Sequence, residues 1–141
     1  MTETAFTHNH RVRLHEVDGA GLLFFGQLFT LAHNCYEELL LAAALPLQEI
    51  VEQGEFSIPL VHAEADYHHP IHQGELLRLT IHVSKIGEHS FTLKTLVEST
   101  DKHGGSILRG VVTTVHVTIS SATGESIPLP DPLREILHRH G

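Results

Sequence analysis

Asp18 is followed by Gly19, Ala20 and Gly21, and then by Leu22-Leu23-Phe24-Phe25-Gly26 at the entry to a long apolar stretch. A helix N-terminus presents unpaired backbone N–H groups and the positive end of the helix dipole. A thioester carbonyl placed there would have its developing negative charge stabilised, as in an oxyanion hole. A carboxylate seven residues earlier, on a loop whose glycines permit positive φ, could turn back to that carbonyl as nucleophile or as base for water. The combination suits acyl transfer. On spacing alone the signal is weak, because an aspartate in a glycine-rich loop is more often a turn residue.

Other reactive side chains point elsewhere. Cys35 is the single cysteine, so no intrachain disulfide can form, and its place in an apolar helical stretch predicts packing, not nucleophilicity. The chain has 14 histidines, and the clusters His68, His69, His72 and His138, His140 invite a metal reading. Their spacings fit no standard zinc signature and no cysteine pair joins them. Solvated histidines are expected, with no metal and no cofactor.

The elements that must position Asp18 follow from periodicity. Alternation predicts a strand over residues 7–15, with His10, Val12 and Leu14 on one face and Arg11 and Arg13 on the other. From Gly26 the step changes to three and four, through Leu28, Ala32, Cys35, Leu39 and Ala42, and Leu31, Tyr36 and Leu40 widen the face. A helix of about five turns is predicted, stopped near Pro46, with a face broad enough for a sheet to wrap. A short helix at 47–53 closes at Gly54. Strands are then predicted at 56–68, at 76–85 with Leu77, Leu79, Ile81 and Val83 on one face, and at 91–97 with Phe91, Leu93 and Val97 together. A fourth, at 107–119, aligns Ile107, Val111, Val115, Val117 and Ile119. A tail helix at 132–138 starts at Pro132 after Asp131. One early helix and a run of antiparallel strands is an α+β pattern, a curved sheet packed on a single central helix.

Composition narrows the partners. The chain has 141 residues, 41% hydrophobic and 18% charged, which suits one globular domain over residues 1–141. The longest apolar stretch, Leu39 to Leu45, is far below the roughly 18 residues of a membrane span. No secretory signal opens the chain, so a cytoplasmic protein is expected. A formal net charge of −8 argues against a nucleic-acid partner and obliges local geometry to attract any anionic substrate.

Taken together, Asp18-Gly-Ala-Gly, the Phe24-Phe25 pair, the helix bearing His33, Tyr36 and Glu37, then Ala65-Asp66-Tyr67, Pro70 and the closing Ile127-Pro128-Leu129-Pro130 resemble the 4-hydroxybenzoyl-CoA thioesterase branch of the hotdog superfamily. The resemblance runs from about residue 8 to 137. It implies a hotdog fold and hydrolysis of an acyl-CoA. Asp18 matches the catalytic aspartate, and Phe25 the residue whose backbone N–H polarises the thioester carbonyl. Phe24, Gly26 and His33 fall at substrate-binding positions, His33 facing the aromatic end of the acyl group. There its imidazole is expected to pair with a ring hydroxyl, a partner an aliphatic chain would not supply.

The segment His33-Asn34-Cys35-Tyr36-Glu37 is most similar to the subgroup acting on 1,4-dihydroxy-2-naphthoyl-CoA in phylloquinone and menaquinone biosynthesis, departing from it at Asn34 and Cys35. In the turn Gly87-Glu88-His89 the family often carries basic residues that meet the CoA nucleotide. Glu88 has the wrong sign, so CoA is expected to be held differently, by Lys85, Lys94 or Arg109, or to be held weakly. The resemblance also implies self-association edge to edge as a homodimer or homotetramer, with the pocket between subunits. Two other readings keep the fold: a thioesterase for short or medium aliphatic acyl-CoA or acyl carrier protein, and a silent acyl-CoA-binding domain. Asp18 speaks against the last, since a pure binder gains nothing from a carboxylate beside a carbonyl.

Overall fold

The computed structural model describes residues 5–141. The first alternating run forms β1 (Phe6–Arg11) and stops earlier than its pattern suggested. Val12 is buried, but Leu14 is 71% exposed and does not share its face. The reason is local: the Arg13 N–H donates to the Glu16 carboxylate at 2.7 Å, and a 3-10 turn forms over Leu14–Glu16. The central helix α1 (Gln27–Ala42) follows the Asp18 loop, and α2 (Leu47–Gln53) ends at Gly54 as expected.

The extended region contains two long expected strands, β4 (Leu76–Ile86) and β5 (Ser90–Thr100), and two that differ in detail. Residues 56–68 divide around Pro59 into β2 (Phe56–Ser57) and β3 (Leu60–Tyr67). The final long strand, β6 (Ser106–Val117), is followed by the short β7 (Ile119–Ser120), which pairs with β2. The tail helix α3 spans Asp131–Arg139.

Five strands form one antiparallel sheet in the order β1-β4-β5-β6-β3. Helix α1 packs on β1, β3, β4 and β6. It buries Leu28, Leu31, Cys35, Tyr36, Leu39 and Leu40 against Leu77, Leu79 and Ile81 of β4 and Phe91, Leu93 and Val97 of β5. Each large aliphatic side chain so buried contributes about 1.5–3 kcal/mol. No helix among the described residues is long and apolar enough to cross a membrane.

The facing of β6 corrects the sequence reading. Val112 and His116 are buried with Gly110, while Val111, Val115 and Val117 lie on the other face and are only partly covered. Gly110 has a specific reason to be glycine, since a Cβ there would lie 3.0 Å from the Asp66 carbonyl and 3.1 Å from Leu28 Cδ2. Its absence lets the first turn of α1 settle onto the sheet.

Candidate active site

The loop before α1 is a tight hairpin held by Asp18 itself. Its Oδ1 accepts the Ala20 N–H at 2.8 Å and the Leu22 N–H at 3.2 Å, and its backbone pairs with Leu22 and Gly21. Gly21 has φ +77, the left-handed conformation that this turn requires and that glycine adopts without strain. Oδ1 thus orders the loop, while Oδ2 accepts no hydrogen bond among the described residues.

Past the hairpin, the chain enters α1 through Phe24, Phe25 and the N-cap Gly26, which already has helical φ and ψ. The Phe24 N–H donates to the Glu16 carbonyl at 2.9 Å, whereas the Phe25 N–H donates to no protein group among the described residues. The Phe25 carbonyl accepts the Tyr67 hydroxyl, which ties the helix entrance to β3. Burial raises the Tyr67 phenol above its ordinary value, so it remains a donor at neutral pH.

Asp18, Leu22, Leu23, Phe24 and Phe25 line one side of a cleft of about 500 Å³, and Tyr67, His68, His69, Pro70 and Ile71 line the other. This volume lies within the range of small-molecule sites. Asp18, Phe24 and Phe25 are all exposed, Phe25 at 65%.

Behind Asp18, Glu16 is buried. Both of its carboxylate oxygens lie within 2.9 Å of His10 Nε2. Burial alone would raise this carboxyl, but the Arg13 N–H and the His10 contact outweigh that and hold it below its ordinary range. Glu16 thus braces the hairpin from beneath.

The opposite wall depends on a residue that sequence reading assigned differently. Arg109 Nη2 lies 2.7 Å from Glu75 Oε1, its Nε donates to Ser99 Oγ at 2.8 Å, and its Nη1 donates to the Pro70 carbonyl. Its own carbonyl accepts the N–H groups of His68 and His69 at 2.9 and 3.2 Å. Arg109 is therefore engaged inside the fold and is not available to a phosphate group, whereas Lys85 and Lys94 are both exposed.

His33 is half exposed and its Nε2 lies 3.2 Å from Glu37 Oε2. The expectation of an imidazole lacking a partner therefore does not hold, and the argument it supplied against aliphatic substrates falls with it. Cys35 is fully buried, and burial pushes its thiol up to about 12. Among the described residues no His, Cys, Asp and Glu side chains gather as a metal-holding group.

Residues 12–137 match the thioesterase-like superfamily. The chain is 32% identical over 127 residues to a 1,4-dihydroxy-2-naphthoyl-CoA hydrolase of Synechocystis, covering 90% of each chain. It superposes with a TM-score of 0.87 and 31% identity on the crystal structure of a 1,4-dihydroxy-2-naphthoyl-CoA thioesterase from Synechocystis, covering 94% and 95% of the two chains. A 4-hydroxybenzoyl-CoA thioesterase variant crystallised with 4-hydroxybenzoyl-CoA shares the fold at 18% identity and a TM-score of 0.84, covering 94% of this chain and 98% of that one. A carboxylate hairpin leading into a sheet-wrapped helix, matched over nearly the whole length, makes this chain a member of the thioesterase-like superfamily with the hotdog fold.

Proposed function

We propose that the chain is a cytoplasmic acyl-CoA thioesterase that hydrolyses an aromatic acyl-CoA, with 1,4-dihydroxy-2-naphthoyl-CoA of quinone biosynthesis as its preferred substrate. The observation that carries the reading is that Asp18 and the unpaired Phe25 N–H line one cleft. The thioester carbonyl oxygen accepts the Phe25 N–H, so negative charge developing on it meets a fixed donor at the helix entrance. Asp18 either attacks the carbonyl carbon, giving an anhydride that water opens, or removes a proton from the attacking water. In both routes the C–S bond breaks, the CoA sulfur leaves with the electron pair and is protonated, and one water is consumed: it adds to the acyl carbon in the base route, and it opens the anhydride and restores the Asp18 carboxylate in the nucleophilic one. Phe24, Gly26 and His33 flank the acyl group in this reading. The similarity to hydrolases of 1,4-dihydroxy-2-naphthoyl-CoA supports the choice of acyl group.

Thiol release from 1,4-dihydroxy-2-naphthoyl-CoA, benzoyl-CoA and hexanoyl-CoA tests the proposal, with Asp18→Asn alongside. The wild type is expected to be fastest on the naphthoyl thioester. Asp18→Asn is nearly isosteric but is neither a useful nucleophile nor a base, so most activity should be lost while the fold persists. A variant keeping more than about a tenth of the wild-type rate, a barrier change under about 1.4 kcal/mol, would remove Asp18 from the mechanism. A wild type faster on hexanoyl-CoA would replace the aromatic substrate with an aliphatic one.

A further inference from the structure

Several buried titratable side chains lie away from the cleft that Asp18 and Phe25 line. Cys35, Tyr36 and His116 pack within the core. His116 stacks on Phe91 at 4.9 Å between ring centroids, and its Nε2 lies 3.0 Å from Thr114 Oγ1. Burial first, and then the charge of His33, push its imidazole down to about 4. Glu16 differs from these. It is equally buried, but its partners belong to the segment that carries Asp18 and to the strand beside it.

Glu16 stands two residues before Asp18 and is held at both ends. Its Oε1 accepts the Arg13 N–H at 2.7 Å, and His10 Nε2 lies 2.8 and 2.9 Å from its two oxygens. His10 belongs to β1, in register with Leu77 of β4, which is fully buried. The carboxylate is thus fastened to the sheet. At its other end, the Glu16 carbonyl accepts the Phe24 N–H at 2.9 Å, and the rungs Val17–Leu23 and Asp18–Leu22 follow toward the hairpin tip. The Phe24 and Phe25 N–H groups lie on peptide planes joined at one Cα, so holding the first limits the aim of the second. The Phe24 carbonyl, on that second plane, accepts the Gln27 N–H at 2.9 Å. One residue therefore joins both the Asp18 loop and the Phe25 N–H to a fixed point on the sheet.

We propose that Glu16 is a positioning residue for the hydrolysis: its carboxylate, clamped between His10 and the Arg13 N–H, holds Asp18 and the Phe25 N–H at a fixed separation across the thioester carbonyl. The inference rests on the reading of Asp18 and the Phe25 N–H as the groups that act on that carbonyl. Packing alone does not account for a carboxylate here. Burying an ionised carboxyl costs more than burying an apolar side chain of the same length, so an apolar residue would serve the fold alone at least as well. What the carboxylate adds is orientation, because it accepts from two directions at once. Glu16 lies behind the cleft wall and not in it, so it acts through its neighbours.

The experiment measures kcat and KM of Glu16→Met, Glu16→Gln and His10→Leu on 1,4-dihydroxy-2-naphthoyl-CoA and hexanoyl-CoA, at a temperature where thermal unfolding shows each variant folded. Glu16→Met keeps the length of the side chain and removes both acceptors. Its kcat is expected to fall by about tenfold or more, since misplacing a reacting group by about 1 Å costs on the order of a hundredfold. KM should stay within about twofold, because no contact with substrate is lost. The fall should be equal on both substrates, which share the thioester. Glu16→Gln should recover most of kcat, since its amide oxygen still accepts the Arg13 N–H and its amide N–H donates to a neutral imidazole. His10→Leu should lower kcat less than Glu16→Met does, again at constant KM. A lower unfolding temperature with wild-type kcat in the folded Glu16→Met protein would confine Glu16 to the fold and overturn the proposal. Equal losses in Glu16→Gln and Glu16→Met would replace orientation with charge and overturn it as well. If Glu16→Met does not fold, His10→Leu decides, and an unchanged kcat there ends the clamp. Asp18→Asn, measured alongside, keeps the two readings apart. An active Asp18→Asn would remove the reading on which the inference rests, whereas an inactive one beside a fully active Glu16→Met would remove the inference alone.

Discussion

His116 has an effect on stability that is separable from catalysis. Its imidazole ordinarily titrates at 6.5 and in the fold only at about 4. Between those values the unfolded chain holds a proton that the folded chain does not. Its contribution is therefore complete above pH 6.5 and falls as pH drops through that window, by on the order of 3 kcal/mol at most. His116→Gln keeps a polar group beside Thr114 but does not titrate. Urea unfolding at several pH values should show a flatter loss of stability between pH 6.5 and 4 in the variant. Parallel curves for variant and wild type would mean that other groups carry the acid sensitivity. At this scale the sequence was informative where chemistry is local: the Asp18 hairpin closes through partners two and four residues away. It was silent where partners are remote. Arg109 meets Pro70 and Glu75, which lie 39 and 34 residues away, and nothing in its neighbourhood marks it as engaged rather than free to meet a phosphate.

Among the elements, the wall of the cleft formed by residues 67–71 depends on β6 through Arg109. Arg109→Lys keeps the charge but cannot reproduce a fork that reaches Glu75, Ser99 and Pro70 together. The Glu75 carboxylate and the Pro70 carbonyl would lose bonds. A loss of about 1–3 kcal/mol in stability is expected, with KM rising more than kcat falls, because the loop forms a wall and carries neither Asp18 nor the Phe25 N–H. Thermal unfolding and steady-state kinetics check both parts. A destabilised variant with unchanged KM would confine Arg109 to holding the sheet together. The helix and the long strands were legible because their buried faces repeat at steps of 3.6 and 2, as β4 and β5 show. The inward face of β6 was not. Three of its valines, Val111, Val115 and Val117, sit on the outer face, and its core face is Gly110, Val112, Thr114 and His116, polar enough to read as solvent-facing. The early end of β1 was equally hidden, since the Glu16 carboxylate that curls the chain is off the alternating pattern.

For the molecule as a whole, the sheet ends on β3, which among the described residues pairs only with β6. Its other edge therefore presents unpaired backbone N–H and C=O groups, a template for another strand. Leu60 and Val61 are 51% and 57% exposed, and Ala63 and Glu64 are exposed as well. The same strand carries Tyr67 to the cleft, where Phe24 and Phe25 also stand open to solvent. A thioester site gains from excluding water around the developing oxyanion, and a second copy laid along β3 would bring cover to both features at once. Self-association as a homodimer or homotetramer follows as an expectation. Val61→Lys should oppose it, because a lysine on an edge strand hinders strand addition while the monomer's own core is untouched. Light scattering after size exclusion should give a wild-type mass of two or four chains and a smaller mass for the variant, with thioesterase activity falling in step. A wild type of one-chain mass at micromolar concentration would end the proposal, and a dissociated variant of full activity would place the complete site within a single chain.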